Sequence, residues 1–452
     1  MAKRRQTSKN SQKSKKIVDR ISALPLPILH HLLSFLPVED IVRTCALSKQ
    51  WRTIWCSIHS LDLNKDLSSS NKIEFYDFVD SLLLLRDGSN IHKFHLFLEY
   101  GIGDRDALGR SRINKWIMYA IRHNVQVLDI GFAGEDVELT SQMFTCQSLK
   151  ELKLSFAYLN LPTSICLPAC KSLHLYEVVI QDDQLGKALF SKMPLLETLI
   201  IEDCFFEAQK LLIISIVRLK TLVLKGDLPK SIEITTRNLS SLEIEPCKSG
   251  SLKTVRFKTD LTSLMCASIM VDATCFEPIT KIFGILQHTR SLTLSDLFIS
   301  SFVEKLRDDL ALVNCIKNPF HNLKCLKIGT TFKDGEIKVL NTILHHSLQL
   351  ETICLESIMD NAKDYKEAYE QHDECFAHDL DNLKSVTIQG FRGSVNEVRF
   401  VEVVMEKAAV LDKLIILTSK VGSNENNQEM MKIGKKLIAI PRASPSVAIL
   451  FQ

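Results

Sequence analysis

The chain has 452 residues, 46% of them hydrophobic, and a formal net charge of +3. That is ample apolar material for a core spread over roughly two or three domains, which excludes a disordered chain. The longest apolar runs, Leu82 to Leu85 and Leu211 to Val217, fall far short of the ~20 residues that cross a bilayer, so no membrane partner is expected.

The first sixteen residues carry Lys3, Arg4, Arg5, Lys9, Lys13, Lys15 and Lys16 and no acid. Taking these seven charges from +3 leaves −4 for the rest, a body without the clustered Lys and Arg that a nucleic-acid surface needs. Residues 1–16 read as a disordered basic tail, either a nuclear-import signal or a solvated arm. No secretory signal or lipid-anchor motif follows from this stretch, so the expected location is nucleus, cytoplasm or both. The thirteen cysteines are odd in number and scattered, and several, such as Cys266 and Cys354, alternate with apolar residues. They read as reduced core residues; Cys166 and Cys170 lack a second pair at zinc-site spacing.

Residues 17–60 read as three short helices. Leu24, Ile28, Leu32, Phe35 and Leu36 recur at helical spacing, Pro25 and Pro27 suit a helix start, and Pro37 ends the helix. A second helix is expected from about Val38 to Leu47, with Ile41 and Val42 on one side. Ser48 can cap a third that carries Trp51, Trp55 and Ile58. So few residues cannot bury all these apolar faces internally, so part of the surface should have a partner.

Residues 61–123 read as a connecting helical and loop region. From there to about residue 360 a Leu-x-x-Leu-x-Leu pattern returns, its central residue at Leu128, Leu152, Leu173, Leu199, Leu222, Leu242, Val255, Leu264, Leu292, Leu326 and Ile353, and again at Val386 and Leu414. Most steps are close to the ~20 to 29 residues of a leucine-rich repeat, in which each unit gives one strand to a parallel sheet. Val255 and Leu264 come too early and suggest an irregular middle, where a small-ligand pocket between Val255 and Leu292 is conceivable. A globular α/β domain is the competing architecture. Residues between the repeated leucines alternate onto the opposite, concave face: Lys153, His174, Glu243, Arg256, Thr293, Lys327 and Thr387. This mixed set suits a protein partner, or is plain solvated surface. Residues 361–380 are polar and helix-prone and precede a last α/β segment.

An enzyme reading finds no site. Gly101, Gly103 and Gly109 lack dinucleotide-binding spacing, and no phosphate loop, nucleophile elbow or zinc-protease helix occurs. His372, Asp373, Glu374, Cys375 and His378 form the best ligand-like cluster, and they read more simply as a solvated polar helix. His30-His31 and His345-His346 split between a core edge and solvent. No cofactor or metal is implied.

The stretches DRISALP (Asp19 to Pro25), ILHHLLSFLP (Ile28 to Pro37) and LSKQWR (Leu47 to Arg52), with Trp55, resemble the F-box of plant F-box proteins with leucine-rich repeats. Leu26 and Pro27 stand where that pattern has acids, and Gln50 where it has a base. INKWIMYAIRHNVQVLDI (Ile113 to Ile130) is also typical of that family. LKSVTIQGFRG (Leu383 to Gly393), VEVVMEKAAVLDKLII (Val401 to Ile416) and PRASPSVAILF (Pro441 to Phe451) resemble its C-terminal FBD domain, although the Trp and Pro of its opening are missing. The resemblance implies an α/β chain of three parts: a three-helix F-box, an irregular leucine-rich-repeat solenoid, and an FBD-type segment after a linker helix at 361–452. It also implies a non-catalytic receptor of a Skp–cullin–F-box ubiquitin ligase, which binds the Skp-type adaptor and through it the cullin and RING subunit. Leu24, Pro25, Ile28, Leu32, Phe35, Leu36, Pro37, Ile41, Val42, Trp51 and Trp55 would form or support the adaptor interface, with Leu32, Val42 and Trp55 the readiest candidates for internal core. The alternative is a repeat scaffold that binds proteins without a ligase role.

Overall fold

A computed structural model describes residues 20–68, 71–101, 107–134, 139, 141–159, 165–180, 189–207, 210–247, 252–308, 312, 320–359, 380–418, 432–437 and 439–452. The basic tail, Gly103, the helix-prone linker and the His372 to His378 cluster lie outside these residues.

The N-terminal cluster is α1 (Leu26–Leu33), α2 (Val38–Arg43) with a 3-10 turn at Thr44–Ala46, and α3 (Trp51–Ile54) with a 3-10 turn at Trp55–Ser57. Pro25 and Pro27 start α1, where a missing N–H costs nothing. The helix stops at Leu33 and a turn through Leu36 leads to Pro37, shorter than the pattern predicts. Leu29 and Leu33, one turn apart, are its buried residues and pack with Val38, Ile41, Trp51, Ile54 and Trp55. The segment before α1 is pinned to α3: Trp51 Nε1 donates to Ser22 Oγ at 2.8 Å, and the Gln50 side chain donates to the Ser22 carbonyl at 2.9 Å.

Directly after the cluster a fifteen-stranded, all-parallel sheet begins. Its first three strands are β1 (Ser60–Asp66), β2 (Lys93–Glu99) and β3 (Val127–Ala133), with α4 (Lys72–Leu84) and α5 (Ala107–Arg122) on the connections. The region 61–123, expected to be a connector, therefore holds two further units. They follow the same pattern with other apolar residues: Ile58-x-x-Leu61-x-Leu63 and Ile91-x-x-Phe94-x-Leu96, all six buried. The sheet continues through β4 (Glu151–Ser155), β6 (Ser172–Tyr176), β8 (Thr198–Glu202), β11 (Thr221–Gly226), β13 (Ser241–Pro246), β15 (Cys266–Ile269), β16 (Ser291–Leu294), β17 (Cys325–Thr330), β18 (Thr352–Ser357), β19 (Ser385–Phe391), β20 (Lys413–Thr418) and β21 (Ala448–Phe451).

One register row crosses the sheet: Leu61, Phe94, Leu128, Leu152, Leu173, Leu199, Leu222, Leu242, Ala267, Leu292, Leu326, Ile353, Val386, Leu414 and Ile449. Two expected members are displaced. Val255 belongs to β14 (Thr254–Phe257), outside the main sheet in a three-stranded sheet with β10 (Leu211–Ile214) and β12 (Ser231–Ile234). Leu264 lies three residues before the true row member, Ala267. With Ala267 in the row, Leu242, Ala267 and Leu292 are evenly twenty-five residues apart, so the expected irregular middle is absent. Ala267 was hard to see because a methyl group carries little of the pattern's apolar signal, whereas Val255 and Leu264 carry more.

Unit length decides what backs the sheet. The steps of 20 to 26 residues between Leu128 and Leu242 leave no room for a long helix, and these units return through short strands, among them β5 (Tyr158–Leu159), β7 (Val179–Ile180) and β9 (Phe205–Phe206). Later units carry α6 (Ile279–Leu286), α7 (Asp296–Asp308), α8 (Asp334–His345) and α9 (Val395–Lys407). The turn out of the main sheet recurs in four short units: Phe156, Glu177, Asp203 and Gly226, aligned in register, all have positive φ. Gly226 has little alternative, because a Cβ there would stand 2.4 Å from Asp203 Oδ1. Among the described residues no asparagine ladder binds the units; the buried Cys204 thiol donates to the Leu175 carbonyl of the unit before, at 3.5 Å. Cys146, Cys170 and Cys275 are likewise buried, but Cys266 is exposed and Cys354 only half-buried, because their strand positions face away from the core.

Two buried carboxylates fasten the helical units, one within its own unit and one to the strand of the unit before. Glu336, in the first turn of α8, accepts from both the Thr330 and Thr331 hydroxyls and from the Thr331 N–H. Glu397, at the same place in α9, accepts from Ser357 Oγ at 2.6 Å and from the Arg392 and Ser394 N–H groups, closing a capping box with Ser394. Glu397 is 2% exposed. Glu397→Ala should strand these donors and cost about 2–3 kcal/mol, read as a lower unfolding midpoint in denaturant. Glu402→Ala, on the same helix, should cost about 0.5 kcal/mol or less.

Candidate functional site

Two surfaces stand out. The first is an apolar ridge on the N-terminal cluster. In α1 the pair Leu29 and Leu33 takes the core, which turns Ile28 and Leu32, also one turn apart, outward; they are 46% and 45% exposed. Phe35, at 72%, and Leu36 extend this ridge past the helix end, and Pro25 and Pro37 bracket it at exposed positions. Leu26 and Leu47 are exposed beside them, two residues the sequence reading left out although both are apolar. Half-exposed apolar side chains crowded on one small helical unit mark an interaction surface. The remaining predicted residues support it from within: Ile41, Trp51 and Trp55 are buried, and Leu24 and Val42 are partly buried against the core. Leu32 is on the surface rather than in the core, whereas Trp55 is in the core. The sequence could not separate these faces because α1 is apolar almost all round, and two leucine-type pairs at the same spacing compete for one core.

The second surface is the open face of the main sheet, opposite the buried leucines. Lys153 and His174 are register neighbours, and Glu243, Thr293, Lys327 and Thr387 stand in the same row, so six of the seven predicted residues share one face. Arg256 does not. It sits on β14 in the smaller sheet, paired with Glu277 at 2.6 Å, and Ser268 fills its place in the row. The row also contains Asp62, His95, Asp129, Ile200 and Val223, which the sequence reading missed. Asp62 and His95 belong to the row because β1 and β2 join the sheet, whereas Asp129 lies in the Leu128 repeat.

Ion pairs fill this face. His95 Nδ1 lies 2.8 Å from Asp62, His174 Nε2 lies 3.0 Å from Glu202, and Lys225 reaches Glu243 at 3.1 Å and Glu245 at 3.7 Å. Further along, Lys324 and Lys384 both donate to Glu351, holding its carboxyl down at about 2. Beneath the face, burial pushes the Cys204 thiol up to about 12 and the Cys170 thiol up to about 11, so both stay protonated and inert. Among the described residues no group of three or more His, Cys, Asp or Glu could hold a metal ion, and no helix is long and apolar enough to cross a membrane.

A helical cluster with an outward apolar ridge, packed on a parallel leucine ladder, is matched by two family models. The F-box domain matches residues 21–62, and the At1g61320/AtMIF1 LRR domain matches residues 82–443, most of the chain. The chain belongs to the F-box/leucine-rich-repeat proteins. Among its relatives, F-box/LRR-repeat protein 13 of Arabidopsis thaliana is 28% identical over 95% of each chain. F-box/LRR-repeat protein At4g14103 of the same plant is 33% identical over 56% of this chain and 67% of its own length. F-box/FBD/LRR-repeat protein At5g56420, also from Arabidopsis, is 30% identical over 51% of this chain and 56% of its own.

In this F-box/LRR protein the β1–β2 pair His95 and Asp62 makes stability pH-dependent. The hydrogen bond to Asp62 raises the imidazole above its ordinary 6.5, and the same bond lowers the Asp62 carboxyl below 3.8. The histidine's contribution is fully present below 6.5 and lost as pH rises through its folded value; the aspartate's is present above 3.8 and lost as pH falls. The melting temperature of the native chain should therefore fall between pH 6.5 and 8.5 by more than that of His95→Gln. Parallel melting curves for the two across that range would refute the pairing.

Proposed function

We propose that this protein is the substrate-recognition subunit of a Skp–cullin–F-box ubiquitin ligase. The F-box ridge docks on a Skp-type adaptor, which brings the cullin and RING subunit, and the open sheet face holds a protein substrate. The observation that carries this reading is the exposure of Ile28 and Leu32 on a helix whose other face is already satisfied by Leu29 and Leu33, with Phe35 and Leu36 exposed in the turn that follows it. Covering each of these half-exposed side chains would contribute about 1 kcal/mol, enough in sum to hold a partner. The receptor's chemistry is then proximity, since it raises the local concentration of substrate lysines at a charged conjugating enzyme. Residues 375–452 serve as an FBD-type segment in this reading, supported by their motifs and by the FBD-named relatives. The working location is nucleus, cytoplasm or both.

Co-expression of the intact chain with a Skp-type adaptor and cullin tests the proposal. The native chain should purify with both, and Leu32→Asp with Leu36→Asp should reduce adaptor recovery at least tenfold while leaving the melting temperature within about 2 °C, since both side chains are exposed. Recovery unchanged by the double substitution would overturn the ridge assignment. No complex with the intact chain would favour a repeat scaffold without a ligase role.

A further inference from the structure

We infer that the N-terminal half of the open face, from β1 to β13, binds a protein segment carrying a large apolar side chain followed a few residues later by lysine or arginine. This rests on the substrate-receptor reading and specifies what such a substrate presents.

The apolar subsite is an aromatic platform. Phe97, Phe156 and Tyr176 are all half-buried and meet edge to face, with ring centroids 6.1 Å apart for Phe97–Phe156 and 5.3 Å for Phe156–Tyr176. Phe97 reaches across β3 because the intervening residue is Gly131: a Cβ there would stand 2.7 Å from the Phe97 ring. Phe156 occupies the positive-φ turn position that neighbouring units give to Glu177, Asp203 and Gly226, so the turn does not call for an aromatic ring. Ile200 and Val223 continue the apolar strip on the next strands of the same face.

The cationic subsite is a local excess of carboxylate. Open-face strand positions from β1 to β13 hold eight acids against three lysines, whereas those from β15 to β21 hold one acid against two lysines. The acidity is thus confined to the half that carries the platform, in a chain whose net charge is +3. It is densest where Glu202, Glu243 and Glu245 share the single ammonium of Lys225, at 4.0, 3.1 and 3.7 Å. The His174 ring pairs with Glu202 alone, at 3.0 Å, which leaves Glu243 and Glu245 to one lysine, so the field there favours a further cation. Neighbouring strands are about 4.8 Å apart, so Glu202, the register partner of Tyr176, stands beside the platform, while Glu243 and Glu245 lie three strands from Tyr176, roughly 15 Å away. An extended chain covers that distance in about three to five residues. Aromatic edges beside carboxylates also suit the alkyl stem and charge of Lys or Arg.

The test uses the intact chain and three fluorescein-labelled degenerate nonapeptide pools: Leu at position 3 with Arg at positions 6 and 8; the same with Glu for Arg; and the first with Ala for Leu. Anisotropy titrations at 150 mM salt should show the Leu/Arg pool binding at least tenfold tighter than the Leu/Glu pool and at least threefold tighter than the Ala/Arg pool. Glu202→Gln with Glu245→Gln, nearly isosteric and partly exposed, should cost fivefold or more. Phe156→Ala should remove the advantage of Leu over Ala, and Arg256→Gln, off this face, should change nothing. Equal binding of Leu/Arg and Ala/Arg pools would mean bare polycation attraction and overturn the platform. Equal, reversed or undetectable binding of the Leu/Arg and Leu/Glu pools would overturn the proposal as a whole. Adaptor recovery from the same preparations separates the outcomes: peptide preference lost with adaptor recovery intact sinks this inference alone, and adaptor recovery lost with peptide preference intact sinks only the ligase reading.

Discussion

The structure depends on one constraint, the in-register stacking of a single apolar residue from each of fifteen parallel strands. A parallel strand pair cannot close locally, and each unit buries its leucines against the next, so every unit owes its stability to its neighbours in the ladder. Everything placed on the molecule inherits this register. The open-face residues form rows because the leucines behind them do, and the aligned positive-φ turns at Phe156, Glu177, Asp203 and Gly226 recur because four successive units leave the sheet at the same step.

The same ladder ties the two surfaces together. Val38 and Ile41 of the F-box and Ile58, just before β1, share one continuous core with Leu61 and Leu63 of the first strand. Lys65 at the end of β1 also faces Glu39 of α2 at 3.9 Å. With no free linker between them, the exposed ridge of α1 and the open sheet face are held as parts of one packed body. Under the proposed receptor function, this would set the geometry between adaptor and substrate through packing rather than through tether length.

Much of this was legible in the residues, and the failures have common physical causes. The F-box motifs located the helices, and Ile28, Leu32, Phe35 and Leu36, four of the eleven residues they pointed to, are exposed, Leu32 among them although it was a candidate for internal core. The repeat was recognised from about Val125 onward, with Ile353 or Val386 as readily as leucine at the central position. It was missed at Ile58–Leu63 and Ile91–Leu96, which lie in the stretch assigned to the helical cluster and its connector, and misplaced at Val255 and Leu264, where Ala267 is the true member. Those two errors produced the same two consequences: a connector that is really two repeat units, and Arg256 assigned to a face it does not occupy.

The sequence by itself determined the architecture, because periodic leucines and paired prolines admit few structures that bury them. It also set the chemical character of the surfaces: an apolar helix with more hydrophobic positions than a small cluster can hide, and a body whose positive charge resides in its tail. Only the tertiary structure decided between equivalent candidates. In α1 two apolar pairs one turn apart compete for one core, and packing against Ile41, Trp51 and Trp55 selects Leu29 and Leu33. In the repeats, strand pairing selects Ala267 over a larger neighbour, because register is a property of the whole ladder and not of any one residue.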